Sequence, residues 1–158
     1  MFILKLFTAI SCGLIAGVFF AFSSFVMSAL ARLQPPQGTA AMQAINIAVI
    51  NPWFMGVFLG TAGACLFLLG FSLIKWQHPD AVWLLIGSLL YLVGTFGVTL
   101  AFNVPLNEAL ARVEPSSTEG QALWADYRVI WTLWNHVRTV AALGGATSFT
   151  CALWHRVL

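Results

Sequence analysis

Long apolar runs separated by short polar knots set the layout of this chain. Phe2 to Leu30 carries Lys5 as its sole charge, and Pro52 to Ile74 and Ala81 to Phe102 carry none. A fourth run, Trp134 to Trp154, is less clean, because His136 and Arg138 lie in its first turns. About 20 apolar residues suffice for a helix to cross a bilayer. The pattern therefore predicts spans at about 2–30, 52–74, 81–103 and 134–154. Ala29-Leu30-Ala31 resembles a signal-peptide cleavage site, but the apolar stretch before it is far longer than a signal core of about 7–15 residues. It reads as a retained helix.

The polar breaks differ in kind. Residues 75–80, Lys-Trp-Gln-His-Pro-Asp, make a tight turn with Pro and Asp as turn chemistry. The first connection opens with Arg32 and the Pro35-Pro36 pair, then runs Thr39 to Asn51 as a weakly polar helix. The third has Pro105 to Arg112, a break at Glu114-Pro115-Ser116-Ser117, and a further helix from about Thr118. Ser117 has the side chain of an N-cap, with Glu119 in the first turn. Small residues recur within the runs: Gly13, Gly17 and Ala21; Gly56, Gly60 and Ala64; Gly87, Gly94 and Gly97; Ala141 and Gly145. In lipid, close backbone approach drives helix association. These stripes predict an all-α, integral membrane four-helix bundle, one domain over residues 1–158, with short amphipathic helices in the first and third connections.

Composition sharpens this picture. Apolar residues make up 60% of the chain, charged residues 8%, and mean hydropathy is +0.90. Those values lie outside the soluble globular range and mark a partner of the lipid bilayer. A net charge of +2, spread along the chain, argues against nucleic acid. Cys12, Cys65 and Cys151 each sit in a separate apolar run, an arrangement that suits inert packing thiols rather than a metal site or disulfide. An up-down bundle sets Lys5, Lys75 and Arg156 on the side of the termini against Arg32, Arg112, Arg128 and Arg138 on the other. If Arg32 and Arg138 turn inward, the positive-inside count puts the termini in the cytoplasm.

Chemistry concentrates in two knots, Trp124 to Arg138 and Asn103 to Glu108. At about 100° per residue, Trp124, Arg128, Trp131, Asn135 and Arg138 share one helical face, with Trp134 beside them. Asn103 and Asn107 share another if helical geometry carries through Pro105. Arg138, inside a span, needs a partner or a polar cavity, and Glu108 and Asp126 are candidate carboxylates. His78 and His155 read as solvated loop residues. No hydrolase elbow, phosphate loop, zinc-protease helix or dinucleotide fingerprint is present. Two of the four runs carry no ionisable group, which argues against a channel or transporter. Two readings stay open. One is a structural clasp that pins helix ends or contacts a partner. The other is a ligand pocket in which tryptophans sandwich a quinone-like molecule and Asn and Arg donate to its oxygens.

Particular residues resemble a known family: Gly13-Leu-Ile-Ala-Gly17 through Ser23, Met42 to Asn46 followed by Asn51-Pro52, Phe102-Asn103-Val-Pro105-Leu-Asn107, and Trp131-x-x-Trp134-Asn135-x-x-Arg138-Thr139. They are similar to the anthrone oxygenase-like small membrane proteins, over nearly the whole chain. The resemblance implies a bacterial plasma-membrane protein that oxygenates an anthrone to an anthraquinone with no cofactor. Independently of the resemblance, the sequence leaves a homo-oligomer open. Under the resemblance, His136 is the best placed base by residue type, although it lies about 100° round from Asn135, and Asp126 and Glu108 are its rivals. Arg138, Asn135, Asn103 and Asn107 would be the enolate and carbonyl donors, Trp131 and Trp134 the walls, and Asn46 and Asn51 further substrate contacts.

Overall fold

The computed structural model describes residues 1–154, and these form five helices with no strand among them. Helix α1 is Phe2–Leu30, α2 Pro35–Ala48, α3 Pro52–Ile74, α4 Ala81–Ala111 and α5 Thr118–Trp154. Three of them, α1, α3 and α4, are long and apolar enough to cross a membrane. The predicted bounds of the first two spans coincide with α1 and α3. The third does not stop at 103: α4 runs on through Pro105 to Ala111, so Asn103 and Asn107 do share one continuous helix. The fourth predicted span is only the latter part of α5, a 37-residue helix of about 55 Å with no break at Trp134.

Caps explain where the helices begin. Ser117 Oγ accepts from the Gly120 N–H at 2.9 Å, as a capping serine should. Asn51 Oδ1 accepts from the Trp53 and Phe54 amides at 3.1 and 3.0 Å, with Pro52 at the first position of α3, where a missing N–H costs nothing. Pro35 and Pro36 likewise open α2, four residues before the predicted start.

Core residues of α1, α3, α4 and α5 meet in one apolar cluster that includes Cys12, Ile15, Cys65, Leu68, Leu84, Ala142 and Phe149. A second cluster joins Met27 and Leu30 of α1, Met42 of α2, Leu110 of α4 and Trp124, Tyr127 and Trp131 of α5. Helix α5 packs along α1 and α4, the central member of the arrangement. The small-residue stripes of the later runs lie at these contacts: a Cβ on Gly94 would come 2.5 Å from Ala141 Cβ, and one on Gly87 3.0 Å from the Phe149 ring. The earlier stripes do not behave as predicted. Gly13, Gly17, Gly56 and Gly60 face open space, because α1 and α3 pack through the larger Phe19 and Phe58 faces instead.

At the tight turn Lys5 is buried and pairs with Asp80, which also engages His78 Nδ1. His78 is exposed, as expected of a solvated loop residue, and its ring also reaches the buried ion pair. His155 and Arg156 lie outside the described residues. Cys12 and Cys65 are buried free thiols, and Cys151 is half-buried.

Candidate functional site

Three stretches of wide π turn, Phe22–Val26 in α1 and Leu90–Gly97 and Thr99–Asn103 in α4, surround the middle of α5. Such turns recur at functional sites. Here they have a geometric effect. A four-residue step in an α-helix overshoots a full turn by about 40°, and the wider turns take that drift back. Thr95, Thr99 and Asn103 therefore all reach α5. Thr95 Oγ1 donates to Arg138 O at 3.4 Å, and Thr99 Oγ1 accepts from Arg138 Nη1 at 3.3 Å. Asn103 Nδ2 donates to Trp131 O at 3.2 Å. One turn further, Asn107 Oδ1 accepts from both Tyr127 Oη and Trp131 Nε1 at 2.8 Å.

Arg138 is the centre of this arrangement. It is 4% exposed, its Nη2 donates to Asn135 Oδ1 at 2.7 Å, and its guanidinium lies 4.2 Å above the Phe19 ring and 5.0 Å from that of Trp131. Asn135 is spent on holding it. Its Nδ2 donates to Phe19 O and Ser23 Oγ, both at 2.7 Å. Among the described residues no carboxylate pairs with Arg138, and its Nε–H has no partner. Glu108 is exposed and pairs with Arg112 at 3.7 Å, and Asp126 is exposed on the far side of α5.

Beside the guanidinium lies a partly open cavity of about 270 Å³. Arg138, Trp131, Asn46, Asn107 and Thr99 reach it, and the rest of its lining is apolar, including Phe19, Phe22, Met42 and Phe58. Tyr127 stands behind it: Asn46 Nδ2 donates to its oxygen at 3.4 Å, and burial pushes its phenol well above the usual range, so the group is a neutral donor. Trp124, Tyr127 and Trp131 form a ladder of rings along α5, with centroids 5.8 and 6.2 Å apart.

The predicted site residues thus divide. Arg138, Trp131, Asn46 and Asn107 line the cavity, and Asn103 and Asn135 are fully buried behind it. His136 is exposed and outside it. Trp134 stacks on Phe102 at 3.7 Å, away from the cavity, and Asn51 is committed to capping α3. Arg128 is exposed, and Tyr127 takes its place on the buried face. The reason is the set of partners at that level of α5: Tyr127 packs with Met42 of α2 and Leu110 of α4 and donates to Asn107 Oδ1. Its place three residues after Trp124 and four before Trp131 was the available signal for Tyr127. Phe19 and Phe22 fall in the Gly13 to Ser23 stretch that resembles the family, but neither their place in the wall nor that of Phe58 was marked by spacing or residue type.

A model of the family described as anthrone oxygenase matches residues 53–148, which contain Asn103, Asn107, Trp131, Asn135 and Arg138. The chain belongs to the anthrone oxygenase family. No curated protein and no solved structure matches it. Within the family match lie α3, α4 and the stretch of α5 that carries Arg138, while α1 and α2 lie before it. Phe19, Ser23 and Asn46 are therefore supplied from outside the matched region.

Proposed function

We propose that the chain binds a flat, uncharged aromatic ketone of the anthrone class in this cavity and oxygenates it there. One observation carries the reading: a buried arginine with no carboxylate partner among the described residues, and an N–H without an acceptor among them, borders a cavity that is otherwise largely apolar. Buried charges are ordinarily paired, so an unpaired one at a cavity wall suits a ligand oxygen. In this reading Arg138 and Asn107 take the carbonyl oxygen and stabilise the enolate as it forms. Trp131 and Phe22 flank the rings. The enolate carbon then gives electrons to dioxygen, a C–O bond forms, and water leaves as the second carbonyl appears. CH₂ and O₂ become C=O and H₂O. The substrate supplies the electrons, so the proposal names no cofactor.

His136 has no part in this scheme. The ring-methylene proton leaves to water, its acidity raised by the cation beside the developing oxyanion. Asn135 is a positioning residue for Arg138. The reading includes a fourth membrane crossing by the later part of α5, which completes a four-helix bundle in a bacterial plasma membrane.

Oxygen uptake by proteoliposomes supplied with anthrone tests the proposal. Arg138→Gln should lower the rate by about 10²–10³, the usual effect of losing an oxyanion donor, and His136→Ala should leave it within about twofold. A rate unchanged in Arg138→Gln would sink the reading. A second reading, a clasp without catalysis, is favoured by Asn135, whose amide is bonded entirely within the protein. It predicts that Arg138 variants lose stability together with any activity.

A further inference from the structure

Helices α3 and α4 are not parallel partners along their length. Near the tight turn Pro52–Ile74 packs closely on Ala81–Leu89, but towards the other end the two part, and Thr99–Asn103 turns to α5 instead. The cavity lies in the space they leave. Its outer lining comes from Ile50, just before α3, from Leu59 on α3, and from Leu100 on α4. These three are 72%, 49% and 54% exposed. They are wall and surface at once, and so mark where the cavity opens.

That mouth is apolar throughout. Residues 52–74 and 81–107 contain no charged side chain. A water-facing entrance would carry polar side chains on its rim, as binding sites in contact with solvent do at their edges. The surrounding surface is the part of the chain with membrane-crossing length and hydropathy. Arg138 comes from α5, behind the mouth, and Asn107 from α4 about two turns beyond Leu100, so a ligand enters oxygen first and apolar edge last.

We infer that the cavity is loaded sideways from the hydrocarbon of the bilayer, through the cleft between α3 and α4 gated by Leu59 and Leu100. This rests on the pocket reading above and narrows its substrate class to ring compounds that partition into lipid as neutral molecules. A water-soluble, charged analogue has no route past the rim.

The test uses the full chain in proteoliposomes and 9,10-anthraquinone, which is already oxidised and does not turn over. Its binding is followed by quenching of tryptophan fluorescence, with Trp131 at the cavity wall. Leu59→Phe/Leu100→Phe narrows the mouth, and Leu133→Phe/Val140→Phe places the same rings on an exposed part of α5 away from it. The expected result is at least a tenfold fall in both association and dissociation rates for the mouth variant, with affinity changed less than threefold and the control like wild type. A mere packing defect would change affinity and leave no matched slowing of both rates. Wild-type rates in the mouth variant, with normal quenching, would overturn the lateral route and leave the pocket standing. Absence of quenching in the wild type would overturn the pocket, and the route with it.

Discussion

Arg138 is costly where it sits. A cation with 4% exposure and no carboxylate partner among the described residues is held by hydroxyl and amide oxygens and by two aromatic faces. Arg138→Met recovers the desolvation cost of that cation but leaves Asn135 Oδ1 without its donor, and the two effects oppose. Arg138→Met should therefore stay within about 1–2 kcal/mol of wild-type stability in detergent while ligand binding is lost. A larger fall in stability would favour the clasp instead. Asn135→Ala is expected to behave differently, because Phe19 O and Ser23 Oγ lose their donor and Arg138 its acceptor. A cost of about 1–3 kcal/mol in stability follows from stranding buried polar groups, together with weaker binding. His136→Ala, at an exposed position, should shift stability by no more than about 0.5 kcal/mol.

At the scale of elements, the glycines separate contact from surface. Gly94 on α4 faces Ala141 on α5 so closely that an added methyl must push the helices apart. Gly94→Ala should cost about 1–3 kcal/mol through overpacking and should weaken ligand binding, since Thr95 and Thr99 follow on the same helix. Gly60 on α3 meets nothing within 4 Å, so Gly60→Ala removes only the backbone entropy of a helical glycine and should be neutral or stabilising by about 0.5–1 kcal/mol. Thermal melts of the two variants in one detergent check both. The π turns belong to this scale as well. They let α4 pass through Pro105, whose ring would otherwise press on the carbonyl four residues back, and they bring a column of polar side chains to α5.

Over the whole molecule the two ends divide the labour. The end with the tight turn carries a buried ion pair, Lys5 with Asp80, joined by His78. It lies far along α1 from Phe19 and touches no cavity residue named above. Breaking it should affect folding alone. Asp80→Leu takes the carboxylate from a buried ammonium and should cost about 3–5 kcal/mol, and Lys5→Met in the same chain should restore much of that loss. Stability curves for the single and double variants, read beside unchanged anthraquinone binding by the folded fraction, check the separation. The burial of Lys5 and Arg138 also removes two charges from any positive-inside count. Arg32 remains exposed, so the condition that would have favoured cytoplasmic termini is met only for Arg138.

What the sequence by itself determined was the set of long apolar runs, their breaks, the capping role of Ser117 and the family to which the knots around Asn103 and Arg138 belong. These are local matters, carried by run length, turn chemistry and short motifs. The sequence also marked Arg138 and Asn135 as groups that lipid alone could not satisfy. Only the tertiary structure decided which of the neighbouring polar residues meet them. Arg128 and Tyr127 are one residue apart, and packing with Met42 and Leu110, together with the bond to Asn107, selects Tyr127. His136 was attractive by chemistry, and its exposure follows the helical angle that already set it off the face of Asn135. The cavity walls come from apolar residues on four helices, identical in character to their neighbours until packing sets them opposite an unpaired guanidinium.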